Sequence, residues 1–146
     1  MLMITLLVAA MAAQDDPMPR SISVTVQGLR VDLKRCEKLS TKSINCSFVV
    51  TNQQADRVVR LNAKHGQSYY VDAGGIQVSA IRSQIGSGAG VSYAVTEAVT
   101  DTPVKGSVEF GVGEPHATSL AKLSLSFLSN KQEFRVEFRK VPLEGR

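Results

Sequence analysis

The stretch from Val31 to Asn52, VDLKRCEKLSTKSINCSFVVTN, constrains the fold more than any other part of the chain. Ile44, Cys46, Phe48 and Val50 alternate with Asn45, Ser47 and Thr51, the period-two pattern of a strand with one buried face. Just upstream, Leu29, Val31 and Leu33 alternate with Arg30, Asp32 and Lys34. A polar segment bounded by Cys36 and Cys46 separates the two runs, so the stretch is expected to form a β-hairpin. Pairing Leu33 with Phe48 and Val31 with Val50 sends every apolar side chain to the core. That register sets Arg35, not Cys36, opposite Cys46. A one-residue bulge between Lys34 and Cys36 would bring the sulfurs together.

The expectation is therefore both the bulge and a Cys36–Cys46 disulfide. Bridged cysteines need Cα atoms within about 7 Å, which adjacent strands supply. Closing so short a loop stabilises the fold by about 2–3 kcal/mol. A redox or zinc role fits poorly: nine residues separate the cysteines, which is not a CxxC spacing, and two ligands do not complete a tetrahedral site.

The head of the chain suggests a compartment in which such a bridge persists. Leu2 to Ala10 (LMITLLVAA) is apolar and too short to span a bilayer, but it suits the central region of a signal peptide. Ala10-Met11-Ala12 supplies an A-x-A cleavage pattern, although no Lys or Arg precedes the apolar run. Residues 1–12 are expected to be a signal peptide, 13–20 a linker, 21–143 a single β domain and 144–146 a tail. Export to the periplasm or medium follows, with no membrane span after cleavage, and it permits the disulfide. The net charge of +4 and pI near 9.3 give a mild basic excess that points toward an acidic partner.

The rest of the chain reads as short strands between turns. Ile22–Val26, Val58–Leu61, Ser68–Val71, Ile76–Ile81, Val91–Val99, Val104–Val112, Leu123–Phe127 and Phe134–Phe138 carry β-type patterns. Gly, Asn, Asp and Pro clusters punctuate them. Gly86-Ser87-Gly88-Ala89-Gly90 is expected to be a mobile loop, and only Thr118–Lys122 could hold a helical turn. The fold class expected is all-β: an antiparallel immunoglobulin-like β-sandwich of about eight or nine short strands, preceded by a signal peptide.

Cys36 with Cys46-Ser47-Phe48-Val49-Val50-Thr51-Asn52, then Asp56-Arg57 and Tyr70-Val71-Asp72-x-Gly74, resemble a recurring bacterial pattern. Pro103–Phe110 and Phe134-Arg135-Val136-Glu137-Phe138 extend it. In these motifs the chain resembles exported bacterial immunoglobulin-like β-sandwich domains of the telomeric-repeat-binding-factor-like immunoglobulin group. The resemblance implies a sandwich fold and no catalytic residues. It does not extend to antibody domains, whose buried tryptophan is missing.

Catalytic chemistry finds little footing. His65 and His116, the only histidines, fall in turns, and no G-x-S-x-G or G-x-G-x-x-G motif is present. Asp72 with Gly74, joined by Asp56 or Asp101, would offer calcium too few oxygens, so Asp72 reads as a hydrogen-bonded turn residue. Asn45-Cys46-Ser47 matches a glycosylation sequon, but within a strand. No cofactor or metal is expected. Lys34, Arg35, Lys38 and Lys42 cluster on the hairpin, with Arg57 and Arg60 on the next strand. Together they are the candidate patch for an anionic partner. Nucleic acid is not expected, because aromatic platforms are lacking among these cations and Phe48 points inward.

The function expected is a non-enzymatic, exported binding module of the bacterial cell envelope. Its partner would be a protein or an anionic envelope polymer, met through loops or a strand edge. A structural or stress-protective envelope protein without a specific partner is the alternative reading, and a hydrolase using His65 or His116 a third.

Overall fold

The computed structural model describes residues 22–145; the expected signal peptide and linker lie outside the described residues. Eleven strands are present, and no helix among the described residues. They are β1 (Ile22–Val26), β2 (Leu29–Lys38), β3 (Ser43–Asn52), β4 (Arg57–Asn62), β5 (Tyr69–Asp72) and β6 (Gln77–Ile85). After them come β7 (Gly88–Gly90), β8 (Tyr93–Ala98), β9 (Val104–Gly111), β10 (Ser119–Ser129) and β11 (Gln132–Glu144).

Seven of these close a ring, β2–β3–β9–β6–β5–β10–β11, and a short parallel pairing of Leu143 with Cys36 and Glu144 with Glu37 joins its ends. The other four are additions: β1 lies on β2, β7 on β6, β4 on β10, and β8 on β4. Strand β11 holds one edge of β10 throughout. The other edge is shared, Leu120–Ser124 pairing with β5 and Ser126–Leu128 with β4. Inside the ring the alternating apolar residues form one core, with Phe48, Tyr70, Phe110, Phe127 and Phe138 fully buried. Each such side chain contributes about 1.5–3 kcal/mol by leaving water. The Tyr70 ring meets Phe110 edge-on, centroids 5.2 Å apart, a favoured aromatic geometry.

The hairpin forms in the expected register, Val31 opposite Val50, Leu33 opposite Phe48 and Cys36 opposite Cys46. Cys36 and Cys46 are joined, with Cα atoms 4.0 Å apart. The bulge falls between Leu33 and Arg35, one residue earlier than expected. Lying at Lys34, it marks where the outer edge of β2 changes partner, from β1, which ends opposite Leu33, to β11, which begins opposite Cys36.

Three expectations are corrected. Eleven strands replace eight or nine, and β2, β3, β10 and β11 are each ten residues or longer. Ser119–Lys122 opens β10 instead of a helical turn, because Leu120 enters the core opposite Val141 and Asp72. Gly88–Gly90 is a strand, paired with β6 across a turn at Gly86-Ser87. These glycines allow close approach: a Cβ on Gly88 would stand 2.2 Å from the Val95 carbonyl oxygen, and one on Gly90 2.4 Å from that of Tyr93.

Candidate functional site

The six basic residues singled out in the sequence do not come together. Lys34, Arg35, Lys38 and Lys42 stay on the β2–β3 hairpin, but part of their charge is engaged. The Arg35 guanidinium lies 3.7 Å from Glu144 and 3.8 Å from Glu37, and the Lys38 ammonium donates to the Pro115 carbonyl at 2.7 Å. Strand β4 pairs with β10 and β8, not with the hairpin, and its alternation splits the remaining two. Arg57 faces inward with Val59 and Leu61 and is only 8% exposed. Its guanidinium donates to Asn52 Oδ1 at 3.0 Å and to the Gln27 carbonyl at 2.8 Å, and burial lowers its pKa. Arg60 faces the opposite way, its guanidinium 4.8 Å above the Tyr93 ring.

Other candidates resolve as structural parts. Asp72 is buried; Oδ1 accepts from the Gly74 and Ile76 amides, both at 2.9 Å, and Oδ2 from the Glu114 amide at 3.1 Å. It organises the β5–β6 turn and ties it to the segment after β9. Asp56 lies elsewhere, accepting from the Thr100 amide at 2.9 Å and hydroxyl at 3.0 Å. No group of three or more His, Cys, Asp or Glu able to hold a metal occurs among the described residues. His65 and His116 are exposed in turns, and neither imidazole bonds to a carboxylate among the described residues. Asn45 sits mid-strand between Glu37 and Glu109.

A different surface emerges from the strand register. On the outward side of β10, Ser126 lies between Asn62 and Arg135, and the row continues to Tyr93 of β8. One step along, Ser124 lies between Tyr69 and Glu137; one further, Lys122 lies between Val71 and Arg139. Five strands thus contribute to one face, with small serines at its centre and longer side chains around them.

Tyr69 sits over that centre. The Lys122 ammonium and the Arg135 guanidinium lie 5.2 and 5.5 Å from its ring centroid, within reach of cation–π attraction. Arg135 is fixed by donating Nη1 to the Gln67 carbonyl at 2.6 Å and to Ser124 Oγ at 3.0 Å. Lys122 beside the ring holds the Tyr69 phenol below its ordinary pKa, with Ser124 and the Arg135 charge adding to the effect. Beside Arg135, Gln67, Ser126, Glu133 and Phe134 line an open hollow of about 250 Å³. Beneath the face a polar network holds the β4–β5 connection. Arg60 donates to Asn62 Oδ1 at 2.9 Å, Asn62 Nδ2 donates to Ser126 Oγ at 3.2 Å, and Ser68 Oγ accepts from the Ser126 amide at 3.0 Å while donating to the Asn62 carbonyl.

Tyr69, Tyr93, Lys122 and Arg135 were not singled out in the sequence. The alternation of β10 and β11 places Lys122 and Arg135 outward, but only the register brings Tyr69 between them.

No helix among the described residues is long and apolar enough to cross a membrane. No family model matches the chain, and no curated protein does. Among solved structures it is similar to the yeast GGA1_GAE domain, with a TM-score of 0.41 and 11% sequence identity, over 84% of this chain and 98% of that one.

Proposed function

We propose that this protein is a non-enzymatic, exported binding module of the bacterial cell envelope, built as an immunoglobulin-like sandwich. In this reading it meets its partner through the outward face of β4, β5, β8, β10 and β11. The observation that carries the reading is the placement of Tyr69 and Tyr93 on one register-aligned face, each with a cation against its ring. Aromatic side chains and arginines are the groups on which recognition surfaces most depend. Rigid strands, rather than loops, hold these ones in place. The buried disulfide and the apolar head support export.

The test compares the purified protein carrying Tyr93→Ser and Arg60→Gln with one carrying Lys38→Gln and Lys42→Gln at the hairpin tip, using retention on immobilised envelope polymers. The expected result is loss of retention in the first pair alone. Equal retention by wild type and the Tyr93/Arg60 variant would remove the face from consideration. Intact mass of secreted material, with and without reductant, tests cleavage after Ala12 and the bridge.

A further inference from the structure

The acid–base balance around Tyr69 gives the face a chemical preference, provided that the face is the binding surface proposed above. We infer that Tyr69, Lys122 and Arg135 form a binding site for the carboxylate or sulfate groups of an acidic polysaccharide lying across β5, β10 and β11.

Three donors converge there. The Lys122 ammonium lies 5.2 Å from the centroid of the Tyr69 ring, whose hydroxyl is the third donor, and the Arg135 guanidinium lies 5.5 Å from the same centroid. Arg135 spends Nη1 on Gln67 and Ser124, which fixes the plane of the guanidinium and leaves its remaining N–H groups for a ligand. The Arg135 guanidinium is thus already held in place before an oxyanion binds, so less freedom is lost on association.

Arg139 adds a third cation to the Lys122 row. Glu137 is the opposing group, 3.7 Å from both Lys122 and Arg139, a separation longer than a direct hydrogen bond. Glu133 lies farther along β11, at the rim of the hollow. A surface that sets acceptors beside donors suits a ligand whose acid groups are spaced by hydroxyls. A polyphosphate backbone, with a charge on every unit, would meet Glu133 and Glu137 repeatedly. Single-stranded nucleic acid also needs open ring faces for its bases, whereas Lys122 and Arg135 lie against Tyr69, and Arg60 against Tyr93.

The experiment measures retention of the purified protein on three immobilised polymers: hyaluronate, neutral dextran and single-stranded oligothymidylate. Wild type is expected to prefer hyaluronate, with affinity falling as salt rises. Lys122→Gln, at a partly exposed position that leaves the core untouched, is expected to weaken hyaluronate retention about tenfold. Arg135→Lys keeps the charge but loses the planar fork, and is expected to weaken it several-fold. Glu137→Gln removes the competitor and is expected to strengthen it. Absence of hyaluronate retention overturns the inference, as does stronger retention on oligothymidylate. Equal binding to dextran and hyaluronate, lost in Tyr93→Ser but indifferent to Lys122→Gln and Glu137→Gln, overturns the anion site while leaving the binding face standing.

Discussion

Removing the side chain of Asn52 should cost more stability than its size suggests. Asn52 is fully buried at the end of β3. Its Nδ2 donates to the carbonyls of Ala55 at 2.9 Å and Ala98 at 2.8 Å; its Oδ1 accepts from the Gln54 amide at 3.1 Å and from Arg57 Nε at 3.0 Å. Through Arg57 the same group reaches the Gln27 carbonyl, so one amide joins the β1–β2 turn, β3, β4 and the end of β8. In Asn52→Ala the exposed Gln54 and Ala55 groups regain water at little cost. The Ala98 carbonyl and the Arg57 guanidinium, both buried, do not. Stranding a buried polar group costs about 1–3 kcal/mol, more when it is charged, so the expected loss is about 3–5 kcal/mol. That is a large share of the ~5–15 kcal/mol typical of a domain. Urea unfolding followed by far-ultraviolet circular dichroism should show the midpoint falling by about 2 M, given slopes of about 1–3 kcal/mol per molar. In a double-mutant cycle, Arg57→Met should add little on the Asn52→Ala background, because its main side-chain partner is already gone. Amide exchange in β8, the edge strand carrying Tyr93, should quicken. A loss below about 1 kcal/mol, or strict additivity with Arg57→Met, would refute the reasoning.

Replacing Cys36 and Cys46 together by Ala should lower stability by about 2–3 kcal/mol in the same assay, the entropy of a loop whose ends are ten residues apart; an unchanged midpoint would show that the staple contributes nothing. Gly88→Ala should cost about 1–3 kcal/mol, because its methyl group meets a backbone carbonyl that cannot turn aside, whereas Gly111→Ala, which opens onto free space, should leave unfolding nearly unchanged. Alkaline titration should separate two of the three tyrosines. Tyr69 should ionise below the ordinary phenol value of 10.0, moving back toward it in Lys122→Gln. Tyr70 should ionise above that value, because its burial, helped by the Asp72 charge, outweighs the opposing hydrogen bond from the Gly113 amide. Since the folded-state pKa of Tyr70 is raised, its contribution is present in full below pH 10.0 and is lost as pH rises through the folded value. Coincident ionisation of Tyr69 and Tyr70 would contradict the geometry.

Much of the fold was legible residue by residue. Period-two alternation from Val31 to Asn52 was enough to pair Leu33 with Phe48, to require a bulge and to bridge the cysteines, because a one-residue slip would turn the apolar set toward water. The same alternation marked Phe134, Val136 and Phe138 as inward and Arg135 and Glu137 as outward. Asp72 in its Asp-Ala-Gly-Gly turn was likewise readable, since the side chain bonds amides two and four residues away.

What the sequence by itself determined is therefore local: which residues extend, which face each side chain takes, and where the chain turns. Which strands become neighbours was decided by the tertiary structure. It separated Arg57 and Arg60 from the hairpin cations, made a strand of Gly88–Gly90 by packing it against Val95 and Tyr93, and set Tyr69 between Lys122 and Arg135. The physical reason is that alternation is written every two residues along one strand, whereas the choice of partner rests on core packing shared by segments far apart in the chain. Tyr69 and Arg135, sixty-six positions apart in the sequence, meet only because β10 pairs with β5 on one edge and β11 on the other.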